Sequence, residues 1–557
     1  MTSIFLKDMT MTITRRPVRR AAALGVLCGA ALLGGLTACN YDDLLTEQPK
    51  SVIVPDNLYV DVAGFDAGLN ALYAQVRRIR SGQDAGAVNG LYATATTIGV
   101  DNGYGNQVAP TENLFQVFGT FNTPLNDFHN ITWELMYAII NQANTIIGRA
   151  ENPAVTWTAA DKARVLGEAH LIRAWAYRYL QYYFGDVPVT LEESSGANIK
   201  TDWDRQPRDS VRKLVINDLL LAEANLPSTS TNNGKVTKGV AQHYLAEMYL
   251  AIGQPALAEP KAAAVINSGV YKLITARYGV EANQPGVAFM DQFKDGNANR
   301  SQGNTEALWV FQYARDVPGG GISIMRRTWV SRYETIAGMK LAYEDGGRGI
   351  GRNAITKWAL NLYEPADERG GIYAIRKFYI LNNSANLPAG KKLGDTTFTI
   401  AVKETVNDRF WPSTRKWDWS DPANPAIDPQ YNDQPYLRLA ETYLLLAEAQ
   451  FKQGNLSGAA ATINIVRARA KASPITAAQV TLDYILDERS RELVTEEERR
   501  FTLLRTGTWY TRTRLYNPLP QAAGVQTAIA LKDSVFPIPQ AVIDANLTKK
   551  MTQNPGY

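Results

Sequence analysis

The residues able to do chemistry in this 557-residue chain are unevenly spread. Its three histidines, His129, His170 and His243, stand far apart in sequence, so they read as packed or surface residues rather than as ligands. Carboxylates concentrate in Asp487, Glu488, Glu492, Glu496, Glu497 and Glu498, with Arg489, Arg491, Arg499 and Arg500 interleaved among them. At spacings of three and four such charges pair along a helix, so the run reads as a salt-bridged face and not as an isolated acid pair for glycoside chemistry. No G-x-S-x-G, H-E-x-x-H or P-loop pattern is present. What remains is a chemistry of flat rings and amides. Asp101, Asn102 and Tyr104 lie in a Gly-, Asn- and Thr-rich stretch over 81–123. Residues 270–433 carry Trp309, Trp329, Tyr333, Tyr343, Trp358, Trp411, Trp417 and Trp419 between glycine clusters. So many rings in loop-rich sequence are hard to bury completely.

The amino terminus holds a different reactive group. Arg15 to Arg20 precede an apolar, glycine-rich run from Ala21 to Leu36 that is too short to span a membrane comfortably. Leu36-Thr37-Ala38-Cys39 follows and resembles a bacterial lipobox, which predicts a signal peptide over 1–38 and lipidation of Cys39. Cleavage there removes Cys28, the other cysteine, so no disulfide scaffold and no metal cluster is expected. The formal charge is +4, and residues 1–38 contribute all of it, with five basic residues against one acid. The remainder is neutral and has no basic footprint for nucleic acid. A lipid anchor attaches the chain to a membrane without spanning it.

Helices must position the rings. Residues 435–470 predict a tight helical hairpin: Tyr436, Ala440, Tyr443, Leu444, Ala447 and Phe451 repeat at three and four, Gly454-Asn455 turns the chain, and Ala459, Ala460, Ile463 and Val466 form a narrow stripe. A similar unit surrounds Gly253, and the alanine spacing of both is like that of tetratricopeptide repeats. Further helices are predicted over 57–79, 125–150, 159–184, 210–224 and 482–504, with Arg77, Arg78 and Arg80 as a solvated end of the first. Short strands are expected over 307–313 and 396–402. The fold class is therefore all-α, a tetratricopeptide-like helical hairpin scaffold with an irregular loop-rich lobe containing short strands. One domain over 39–557 is expected, divided into a helical part 39–269, a loop-rich ligand lobe 270–433 and a helical part 434–557.

Several stretches occur in the order seen in SusD/RagB outer-membrane lipoproteins, and the chain resembles that family along its whole length. They are Leu44 to Lys50, Leu437 to Glu441, Ala447 to Ala449, Ile463 to Ala470, Ile485 to Leu493, Leu504 to Gly507, Phe536 to Pro539 and Asn554 to Tyr557. The resemblance implies a cell-surface binding protein and not an enzyme. Such a protein captures oligosaccharides, or in some members peptides, and delivers them to a TonB-dependent outer-membrane transporter of the SusC-like kind. It implies an outer-membrane location, lipid-anchored and facing the cell exterior. No cofactor or metal is expected. Rings stack on apolar sugar faces while amides and carboxylates bond hydroxyls, so Asp101, Asn102, Tyr104, Trp329, Tyr333 and Trp358 are the candidate ligand residues.

Overall fold

The apolar periods of the sequence become a run of capped helices in the computed structural model, which describes residues 54–81, 92–106, 115, 118–196, 198–399, 408–517 and 529–557. Cys39, the signal segment 1–38 and most of the polar stretch after it lie outside the described residues. The long helices are α1 (Val62–Val76), α2 (Asp127–Arg149), α3 (Ala159–Phe184), α4 (Arg208–Asn225), α5 (Lys238–Ala251), α6 (Pro255–Ile266), α7 (Leu439–Lys452) and α8 (Leu456–Arg469). Side-chain oxygens start several of them: Asp61 accepts from the Gly64 N–H at 2.9 Å, Thr158 from Asp161 at 3.1 Å and Asn455 from Gly458 at 2.9 Å. Gly253 and Gly454 take φ of +72° and +79° at the two hairpin turns, a backbone shape that side chains resist.

From α2 to α8 each helix packs on the next, and α1 lies on α2 and α3. The seam between α6 and α7 joins two hairpins far apart in sequence. It buries Ala246, Leu250, Ala258 and Ala262 against Leu445, Leu446 and Ala449, small residues that let the backbones approach closely. The stack thus runs unbroken past residues 267–438, which leave it and return. Ala447, Ala459, Ala460 and Ile463 do the same work inside the α7–α8 hairpin.

The excursion is the loop-rich lobe. Its strands are short and pair in twos, all antiparallel. β1 (Gly103–Gly105) pairs β3 (Asn353–Ile355), β2 (Ala307–Phe311) pairs β8 (Gln434–Arg438), β4 (Ile375–Arg376) pairs β7 (Ser413–Thr414), and β5 (Phe378–Ile380) pairs β6 (Thr396–Phe398). Residues 435–438, expected to be helical, form β8 instead, because Tyr436 leaves the helix face to stack on Phe311 at 4.3 Å. The lobe also buries rings that the sequence suggested would stay partly open: Trp309, Trp329, Tyr333, Trp411 and Trp417 are all at most 2% exposed. Cations help to cover them. Arg80, expected in solvent, is buried with its guanidinium over Phe311, Trp417 and Tyr436 at 5.0 to 5.4 Å.

The charged run expected as one helix is two, α9 (Leu482–Leu493) and α10 (Arg499–Arg505), followed by α11 (Trp509–Tyr516). The break falls at Thr495, whose φ of +71° cannot continue a helix. Its charges pair as the sequence suggested, but mostly across the fold and in the interior. Glu492 meets Arg369, Arg438 and Arg469, while Glu488 meets Arg369, Arg467 and Arg491. Lys416 of the lobe bonds Glu496, and Arg438 joins Glu306, Glu492 and Glu496. Burial pushes Glu488 and Glu496 up, yet the surrounding cations outweigh it and hold both carboxyls below the usual range. These ion pairs bind the lobe to the scaffold, and residues 55–557 form one unit. No helix among the described residues is long and apolar enough to cross a membrane.

Candidate functional site

Residues 92–106 are clamped between the lobe and the C-terminal helices, and they position the site. Trp509 donates its indole N–H to the Gly99 carbonyl at 3.0 Å, and Asn517 donates to the carbonyls of Val100 and Gly103 at 2.7 and 2.9 Å. The chain is pressed so closely that a Cβ on Gly103 would lie 2.0 Å from the Thr97 carbonyl oxygen. Asp101 is fully buried. Its carboxylate accepts from Arg499 at 2.8 and 2.7 Å and from Arg512 Nε at 2.8 Å. Burial raises its pKa, but the two guanidinium groups outweigh that and hold it below the ordinary carboxylate value.

β1 pairs Gly103 with Ile355 and Tyr104 with Ala354, and the next residue, Thr356, ties both sides together. Its N–H donates to the Asn102 carbonyl at 3.1 Å, and its hydroxyl donates to the Asp101 carbonyl at 2.9 Å. The same hydroxyl caps the short helix Lys357–Leu360 by accepting from Ala359. That helix carries Trp358.

Trp358 stacks on Tyr516 of α11, with centroids 4.3 Å apart and planes 17° from parallel. Both rings are half-buried, so part of the stack remains open to solvent. Arg512, one helical turn before Tyr516, sits 5.1 and 5.0 Å from the two ring centroids. Besides Asp101 it bonds Asp483 at 2.5 Å and Asp487 at 2.6 Å. Asp483 is 71% exposed at its side chain, and Asp487 is 23% exposed. Burial raises the pKa of Asp487 against the pull of Arg512. The result is a ring platform rimmed by carboxylates, all referred to one buried guanidinium. This arrangement can stack an apolar ring face and accept hydrogen bonds from hydroxyls. Among the described residues no group of three His, Cys, Asp or Glu side chains is placed to hold a metal ion.

Of the six residues named from the sequence, Trp358 alone is on this platform. The structure places the other five in the interior. Asp101 anchors the arginines. Asn102 donates to Ser490 Oγ at 3.0 Å. Tyr104 packs edge-on against Trp411 at 5.7 Å, and Trp329 is 2% exposed. Tyr333 stacks on Tyr379 at 5.1 Å and donates to the Ala342 carbonyl at 3.1 Å. All five are buried, and the Trp329 indole N–H is enclosed without a hydrogen-bond partner. Sequence reasoning missed Arg512 and Tyr516. Their signal was present in Trp509 to Tyr516, where an arginine and a tyrosine four apart share a helix face.

Comparison with known proteins bears on the family and the fold of the chain. The model of the SusD family matches residues 305–557, and a second model, described as starch-binding associating with outer membrane, matches residues 62–250. SusD-like protein P2 of Formosa agariphila is 25% identical over 525 residues, covering 92% of this chain and 96% of that protein. Starch-binding protein SusD of Bacteroides thetaiotaomicron is 38% identical over 125 residues, 22% of each chain. Among solved structures, a laminarin binding SusD-like protein superposes with a TM-score of 0.66 at 20% identity, over 88% of this chain and 99% of that one. Surface glycan-binding protein A from Bacteroides fluxus gives 0.66 at 18% identity, over 88% and 99%. At such identities the structural likeness speaks for the fold. With two models matching its amino- and carboxy-terminal parts, a relative aligned along nearly its full length and the same helical architecture, the chain belongs to the SusD/RagB family.

Proposed function

We propose that the protein is a cell-surface glycan-binding lipoprotein that captures oligosaccharides on the Trp358–Tyr516 platform. The observation that carries the reading is that stack, part-open to solvent and rimmed by Asp483 and Asp487. The names of the relatives support the ligand class: one binds starch, one laminarin and one surface glycans. The role is binding without turnover, because the two rim carboxylates bond the same guanidinium and so do not flank a space in which a glycosidic bond could be held between acid and base. The lipobox ending at Cys39 and the outer-membrane association of the matching model support a lipid-anchored protein at the outer membrane, facing the exterior. Delivery to a TonB-dependent transporter completes the reading. Titration calorimetry against neutral oligosaccharides and peptides tests the ligand class. Glycan binding at the platform weakened in Trp358→Ala is expected, and binding of peptides alone overturns the glycan assignment. Affinity purification from membranes should bring down a large outer-membrane transporter, and its absence overturns the uptake role. Cys39→Ala should release the protein from the membrane fraction.

A further inference from the structure

The lobe contains a second cleft, of about 730 Å³, bounded by residues 277–296, 343–346, 373 and 415–420. Trp419, Tyr343 and Tyr373 line it, and Tyr343 is 52% exposed. The walls are fixed. Arg277 is held by both oxygens of Asp291 at 2.9 and 2.8 Å and by the carbonyls of Gln284 and Glu281 at 2.7 Å. Trp419 donates its indole N–H to Asp295 at 3.0 Å and carries Arg326 over its ring at 5.5 Å.

Two polar atoms of this lining are buried without a hydrogen-bond partner, Asp418 Oδ1 and Ser420 Oγ. The rest of Asp418 is engaged, since Arg376 and Arg415 bond its other oxygen at 2.5 and 2.9 Å. Ser420 is 2% exposed. Buried polar atoms left unmet cost stability, so an unpaired acceptor and an unpaired hydroxyl in the wall of a cleft mark a place for a ligand's own hydroxyls. Gly346 lies close against Asp418 Oδ1: its φ is +83°, and a Cβ there would lie 2.6 Å from that oxygen.

Charge narrows the ligand. The cations Arg277, Lys294 and Arg415 are paired with Asp291, Glu281 and Asp418. Asp295 and Glu344 also line the cleft and have no cation partner among the described residues, so the cleft is acidic and repels anions. We propose that this cleft is a second saccharide site, separate from the Trp358–Tyr516 platform and selective for neutral sugars, with Trp419 and Tyr343 stacking and Asp418 and Ser420 bonding hydroxyls.

The inference rests on the reading of the chain as a glycan binder, and its test separates the two. Maltoheptaose, laminarihexaose and hexagalacturonate are titrated into the full chain and into Trp358→Ala, Trp419→Ala, Tyr343→Ala and Ser420→Ala. A neutral saccharide is expected to fill two sites, one surviving in Trp358→Ala and the other in Trp419→Ala, with Ser420→Ala weakening the second site about tenfold. Tyr343 is exposed, so its replacement tests the site without threatening the fold, and unchanged melting curves verify this. A single site lost in Trp358→Ala and untouched by the cleft variants overturns the second site and leaves the platform standing. No binding of either neutral saccharide overturns both, and cleft-dependent binding of hexagalacturonate overturns the neutral assignment.

Discussion

Asp101 and Arg512, 411 residues apart in the chain, meet at 2.8 Å in the interior, where the same carboxylate also bonds Arg499. Removing the charge in Asp101→Asn takes from two buried guanidinium groups the carboxylate they share, leaving Arg499 with Glu497 and Arg512 with Asp483 and Asp487. Breaking such a buried pair costs about 3–5 kcal/mol, which denaturant titration should register. Because Arg512 orders Asp483, Asp487 and the edge of the ring stack, saccharide affinity should fall as well, although Asp101 is nowhere near solvent.

The platform itself is tested by Trp358→Ala. Losing most of a stacked ring removes about 1.5–3 kcal/mol of apolar contact, so affinity should drop roughly 10- to 100-fold in calorimetry. The ring is half-buried and sits at an edge, so the melting temperature should move little by comparison.

His129 gives a pH prediction. Burial, with Arg500 nearby, drives its pKa down to about 3, and neither ring nitrogen has a partner. The folded state therefore holds it neutral while the unfolded chain takes up a proton near pH 6.5. Its contribution to stability is present above about pH 6.5 and is lost as pH falls toward 3, at up to about 1.4 kcal/mol per pH unit. Burial raises Glu441 to about 7, and its contribution runs the opposite way, falling as pH rises from the unfolded carboxylate range to 7. The difference between wild type and His129→Phe isolates the first effect. The variant should lose less stability between pH 6 and 4, and parallel curves would refute the assignment.

The hairpin interior should resist enlargement. Ala459 is fully buried between α7 and α8 beside Ala447 and Ile463. Ala459→Leu must push the helices apart and should cost about 1–3 kcal/mol, whereas Leu456→Ala, on an exposed position of the same helix, should stay within about 0.5 kcal/mol. Chemical denaturation of the pair decides it.

How far these features are legible in the sequence follows from the range of the interactions behind them. The helices were readable because their periods, caps and turn glycines are local: α3 spans Ala159–Phe184, the bounds its apolar repeat suggests. The motifs carrying the family resemblance were also readable, although their physical role was not. Asn554, for example, donates to the carbonyls of Phe184 and Phe536 and ties the chain end to α3. The fate of the rings was not readable. Trp329 and Trp358 both follow polar and charged residues, Arg326-Arg327-Thr328 and Thr356-Lys357, yet one is enclosed and the other half-open. What packs on each, Gly103 beside Trp329 and Arg512 and Tyr516 beside Trp358, comes from far along the chain. Asp101 misled for the same reason, since its partners are Arg499 and Arg512.

The seam between α6 and α7 bears on how the protein folds. Its two sides are separated by about 170 residues, and closing a loop of that length costs roughly 4–5 kcal/mol of chain entropy before any contact repays it. The helical stack cannot be completed as a ladder built rung by rung. Refolding should show an early phase for α2 to α6 and a late one in which the lobe condenses and α7 docks. A fragment ending at Ile266 would present Ala258 and Ala262 as a bare edge, so the chain must gain its lobe before its scaffold is sealed.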